Sequence, residues 1–68
     1  MIKLVKFQMV NIDVNNDIYI NTQLITSIYC DSNPDNTIIE SGADNTACVI
    51  GSVETIVKMI QNCYRQIN

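Results

Sequence analysis

Apolar and polar residues alternate from the start of this chain. Ile2, Leu4 and Lys6 share one parity, Lys3, Val5 and Phe7 the other, and the apolar set continues at Met9, Ile12 and Val14 after a change of phase between residues 9 and 12. A period of two is that of a strand with one buried face, and a phase change is what a bulge produces. The pattern predicts a first strand over about residues 2–13, bent near Val10 and Asn11. Asn15-Asn16-Asp17 follows; Asn and Asp tolerate positive φ and hydrogen-bond their own backbone, so a hairpin into a second strand over 17–21 is expected. After Ile20 the alternation stops. Asn21 is expected to turn the chain, with Leu24 and Ile25 plugging one end of the core. Leu24, Ile25 and Ile28 are spaced for a single helical turn without the length to sustain a helix. A third strand over 25–31 resumes beyond them. The run Asp31-Ser-Asn-Pro-Asp-Asn36 reads as a loop, because Pro34 cannot donate to a ladder and turn formers surround it. Strands over 37–40 and 46–50 are predicted on either side of a turn at Ser41–Asn45.

From Ser52 the period changes. Val53, Ile56, Val57, Ile60, Cys63, Tyr64 and Ile67 fall on one helical face, which predicts a helix over about 52–66. Ser52 suits the N-cap, while Glu54 in the first turn and Arg65 in the last suit the helix dipole. Lys58, Gln61, Asn62, Arg65 and Gln66 form the solvated side, with Met59 on the flank. A sheet with one apolar face and a helix with one apolar stripe cover each other. The expected architecture is therefore one α+β domain spanning 1–68, a small antiparallel β-meander of four to five strands packed by one C-terminal α-helix.

Composition narrows the function. Twelve isoleucines and nine asparagines in 68 residues are the makings of strands joined by tight polar turns. A domain this small buries only about 60% of the surface its unfolded chain exposes, so oligomerisation is a natural source of further stability. The net charge of −3, with four cations, leaves little to neutralise phosphates and argues against nucleic-acid binding. The seven carboxylates are scattered rather than run together, which argues against DNA mimicry. Cys30, Cys48 and Cys63 are odd in number and lack a Cys-x-x-Cys, and there is no histidine. They read as small buried hydrophobes of a reducing compartment. Lys3 and Lys6 interrupt the opening MIKLVKFQMV, which resembles neither a signal peptide nor a membrane span. A cytoplasmic protein is expected.

Few constellations carry chemistry. Asp31-x-Asn33-x-Asp35 has the spacing of a calcium loop, but Asn36 stands where that loop needs glycine and Gly42 where it needs a bidentate glutamate. The carboxylates other than Asp13 and Glu40 fall in predicted turns or at the helix start. Cys48, on a strand four residues before the helix cap, and Cys63, on the helix's apolar stripe or its border, read as packed rather than activated thiols. No phosphate-cradling glycine loop is present. No enzymatic activity, cofactor or metal is expected.

The tyrosines are the stronger lead. If Ile18, Ile20 and Ile28 face the helix, Tyr19 and Tyr29 fall on the opposite, open face. Joined there by Phe7 and Val5, they would form an exposed apolar patch that meets another protein or a second copy of the chain. An unpaired edge strand offers a second route to the same end. The alternative is a small-ligand site at a subunit interface, built from the loops Asp31–Asn36 and Ser41–Asn45.

The opening Met-Ile-Lys-Leu, the stretch Ile18-Tyr-Ile-Asn21-x-x-Leu24-Ile25-x-x-Ile28, Thr37-Ile38-Ile39, and Val49-x-x-Ser52-Val-Glu54-x-Ile56-Val57-x-x-Ile60 together resemble the small flagellar and swarming-motility proteins of the FlbD family. The likeness covers most of the chain and departs from the family between Lys6 and Asp17, where about eight residues are added, and at Gly42, which Ala-Asp-Asn follows rather than a basic residue. It implies a short β-meander, an Asn-containing corner and a final helix in a bacterial motility protein, while the Ile- and Asn-heavy usage suits a small accessory protein of a bacterium or phage. It carries over no catalytic residue.

Overall fold

The computed structural model describes residues 3–10, 16–42 and 44–65. Among these residues five strands, β1 (Leu4–Met9), β2 (Asn16–Asn21), β3 (Ser27–Cys30), β4 (Asn36–Glu40) and β5 (Thr46–Ile50), precede one helix, α1 (Val53–Arg65). A single 3-10 turn, Thr22–Leu24, separates β2 from β3. All strand pairs are antiparallel, and the helix packs on the sheet. This is the expected α+β domain. The bulge expected at Asn11, the far end of the first strand, Asn15 of the first turn, and Ile67 of the helix stripe lie outside the described residues.

The strand order is β2-β1-β5-β4-β3. A simple meander would seat β3 beside β2; instead these two strands are the opposite edges of the sheet, and the N-terminal hairpin joins the other three strands through β1 and β5. Only Thr22–Thr26 connect the two edges. Four inter-strand spacings would separate the edges of a flat sheet by about 19 Å. A 3-10 turn advances only about 2 Å per residue, against about 3.3 Å extended, so a connection this short does not comfortably span a flat sheet. The sheet therefore curls and brings its edges towards each other. Hydrogen bonds fix the corner: Asn21 Oδ1 accepts from the Gln23 amide at 3.1 Å, and Thr22 donates to the Lys3 carbonyl through its amide (2.9 Å) and its hydroxyl (3.1 Å). Ile25 packs against the core, whereas Leu24, expected to plug it, is 61% exposed.

Phe7, Ile20, Ile39, Ala47, Val49 and Ile56 form the core, with Val5, Ile18, Ile25 and Ile60 packed around them. They share one side of the sheet because directly opposed antiparallel residues project to the same face. Ile28 stands opposite Ile39, Phe7 opposite Ile18 and Val5 opposite Ile20. The helix starts where the sequence places it: Ser52 Oγ accepts from the Thr55 amide at 3.2 Å, and its carbonyl takes the first helical bond from Ile56. Ile56 is buried beneath the first turns.

Candidate interaction surface

Two of the four residues expected to form a patch are on the other side of the sheet. Phe7 is 2% exposed and Val5 packs against the core. The cause is register: they stand opposite Ile18 and Ile20, so a fold that turns those isoleucines to the helix turns Phe7 and Val5 with them. Tyr19 and Tyr29 do lie on the open face, 64% and 43% exposed, but on β2 and β3, the two edges. They form no cross-strand pair. Tyr19 stands opposite Lys6, and the Tyr29 hydroxyl donates to Glu40 Oε2 at 2.9 Å. That bond, with some desolvation and the carboxylate's charge, holds the Tyr29 phenol above its ordinary value of 10.0.

A different apolar row emerges on the open face. Tyr29 pairs with Ile38 and Ile38 with Cys48, while the Val10 amide donates to the Cys48 carbonyl at 3.0 Å. Four neighbouring strands, β3, β4, β5 and the end of β1, thus contribute one apolar residue each to a line across the sheet, and Ile50, 49% exposed, flanks it. The missing signal was the pairing of β1 with β5, two strands nearly forty residues apart in sequence. Polar groups hem the row. Glu40 holds the Tyr29 hydroxyl, and Asp31 Oδ2 accepts from the Cys48 thiol at 3.7 Å. Partial burial, then the Asp31 charge and hydrogen bond, push the Cys48 thiol above its usual range. This environment favours the thiol over the thiolate and does not make a nucleophile. Cys63 is half-buried, as Cys48 is, but Cys30, read as a buried hydrophobe, is exposed on edge strand β3.

The two loops expected to share a ligand site are at opposite ends of β4. Asp31–Asn36 closes on itself as a turn, with Asn33 Oδ1 accepting from the Asp35 amide at 3.0 Å and the Asn33 carbonyl accepting from the Asn36 amide at 3.0 Å. Among the described residues no three acidic or thiol side chains gather in a way that would hold a metal ion. Ser41, Asp44 and Asn45 instead rim a cavity of about 310 Å³ whose floor includes Ile18, Ile20 and Ala47. Among the described residues no helix is long and apolar enough to cross a membrane.

Compared with known proteins, the chain matches no family model, no curated protein and no solved structure.

Proposed function

We propose that this chain is a small non-enzymatic protein-binding module that acts as a homo-oligomer, presenting its open sheet face to a second copy of itself. The observation that carries this reading is the row Tyr29–Ile38–Cys48–Val10. One helix covers one face of the sheet, and the other face carries apolar side chains on four adjacent strands with a polar hem, the anatomy of an interface core and rim. A 68-residue chain also gains from burying such a face, since it buries so little surface by itself. The three free cysteines suit a reducing, cytoplasmic setting, and the FlbD-like spacing suits a bacterial or phage accessory role.

Light scattering tests the reading. The wild-type chain is expected to show at least twice the monomer mass at micromolar concentration, and Ile38→Arg, which places a charge in the middle of the row, is expected to give monomers with unchanged circular dichroism. A monomeric wild-type protein overturns self-association. A second reading, small-ligand binding, is favoured by the cavity of about 310 Å³, within the size range of ligand pockets. Its floor is apolar and its rim includes Asn21, Ser41, Asp44 and Asn45. Here the site would lie within one chain rather than between subunits. A ligand at about 100 times its dissociation constant stabilises by about 2.7 kcal/mol, so a thermal-shift screen of nucleotides and divalent ions that moves nothing counts against it.

A further inference from the structure

β1 lies between β2 and β5 but meets them unequally. It pairs with β2 along its whole length, from Leu4↔Asn21 to Met9↔Asn16, and with β5 at one position, Met9↔Val49. Beyond Ile50 the chain leaves the sheet through Gly51 and enters α1. Among the described residues the stretch Leu4–Gln8 therefore has a strand on one side only. In an antiparallel ladder, successive residues direct their main-chain groups to alternate neighbours. The Lys3 carbonyl accepts from Thr22 on the β2 side, and the Val10 amide donates to Cys48 on the β5 side. By this parity the main-chain groups of Leu4 and Lys6, and the N–H of Gln8, point away from β2, to the side where β5 has ended.

Among the described residues that side is hollow. A cavity of about 490 Å³ is lined by Lys6, Phe7, Gln8, Asp17, Ile50 and Met59, and one of about 350 Å³ by Leu4, Val5, Met59, Asn62 and Cys63. They share Met59 and together follow five consecutive residues of β1, so they form one groove about 17 Å long at strand rise. One wall is the edge of β1; the other is α1.

A row of main-chain donors and acceptors is complemented by another extended backbone. Side chains specify which one. A residue directly opposite Lys6 would project onto the same face as the Lys6 side chain, which is 57% exposed and forms an exposed ion pair with Asp17 at 4.0 Å. Residues on either side of it would project towards Met59 and Cys63. A second copy of β1 paired symmetrically about Lys6 would oppose two lysines, an unfavourable contact; a carboxylate there is favourable. We infer that this groove takes an extended segment of another protein with apolar–acidic–apolar alternation, added as a strand to β1 beside α1. The groove adjoins the open-face row at Ile50 but runs along β1 beneath α1, and it does not depend on self-association.

The test titrates isotope-labelled full chain with a blocked peptide, Thr-Thr-Val-Glu-Val-Thr-Thr, its Val-Lys-Val counterpart, and the glutamate peptide N-methylated at alternate amides. Slowed hydrogen exchange at the amides of Leu4, Lys6 and Gln8 is expected, with the glutamate peptide binding about three- to fivefold tighter than the lysine one. The N-methylated peptide is expected not to bind. Met59→Arg, on the exposed flank of α1, should abolish binding without loss of helical circular dichroism, whereas Ile38→Arg should leave it unchanged. The inference is overturned by no saturable binding up to about 1 mM, by protection elsewhere than on β1, by equal binding of the N-methylated peptide, or by binding that survives Met59→Arg.

Discussion

The hydroxyl of Thr37, fully buried in β4, donates to the carbonyl of Gly51 at 2.7 Å, tying β4 to the point where the chain leaves the sheet for the helix. The Gly51 amide donates in turn to the Asp35 carbonyl at 2.8 Å, so both main-chain groups of this corner are held from the β3–β4 side. Thr37→Val keeps the shape and removes the donor. A buried carbonyl left without a partner costs about 1–3 kcal/mol, and in a domain of this size each kcal/mol lowers Tm by about 4–8 °C. Calorimetry should therefore show a fall of roughly 5–20 °C for Thr37→Val. Thr37→Ser, which retains the hydroxyl, should fall less.

Gly51 has φ +128°, a conformation that L side chains rarely adopt, and a Cβ built there would lie 3.1 Å from Ile56 Cδ1. Ile56 is the helix's buried anchor, 1% exposed, so it has little room to move aside. Gly51→Ala is expected to destabilise by about 1–3 kcal/mol from backbone strain alone, and helical ellipticity should melt earlier along with the fold. Gly42, at φ +95° with open space around it, carries only the conformational part of that penalty. Comparing Gly42→Ala with Gly51→Ala by chemical denaturation separates strain from steric conflict, and equal losses would contradict the role assigned to Ile56.

The helix was legible in the sequence because its signals are local. Ser52, the apolar spacing from Val53 and the change of period all lie within one stretch, and Ser52 does accept from Thr55. Strand positions were legible for the same reason, β5 to the residue and the others to within about two residues among those described. What sequence reading missed depends on pairing. Phe7 lies opposite Ile18 and must share its side, which the sequence does not reveal because period-2 parity within one strand says nothing of its phase relative to the next. Tyr19 and Tyr29 looked like neighbours because they sit ten residues apart, yet the pairing of β1 with β5 sends their strands to opposite edges. The apolar row through Ile38 and Cys48 was invisible for that reason too.

The Tyr29–Glu40 bond makes stability depend on alkaline pH. Bonding favours the neutral phenol, so the folded-state pKa lies above the ordinary value of 10.0. A raised acid contributes stability that is complete below its unfolded value and is lost as pH rises through the folded one. Tyrosinate absorbance compared between the wild type and Tyr29→Phe should place the Tyr29 transition above pH 10. Glu40→Ala removes the acceptor and the charge together, and the transition should move back towards 10.0. If it does not move, the hydrogen bond at 2.9 Å is not what raises it.

The cysteines should differ in reactivity in an order that the fold dictates. Cys30 is exposed, whereas Cys48 is half-buried in the row on the open face and its thiol is raised by desolvation and by Asp31. Thiolate is the reacting form, so near pH 8 iodoacetamide should modify Cys30 well before Cys48, read by mass mapping over time. Asp31→Asn removes the charge that disfavours the Cys48 thiolate while keeping a side chain able to accept at 3.7 Å, and should speed Cys48 modification several-fold with Cys30 little changed. Self-association through the open face would slow Cys48 further as protein concentration rises, because the row that contains it would then be covered. Cys48 rates that are independent of concentration across the range where mass rises would place the contact between copies elsewhere. Modification of Cys48 ahead of Cys30 in the monomer would contradict the burial and the Asp31 contact together.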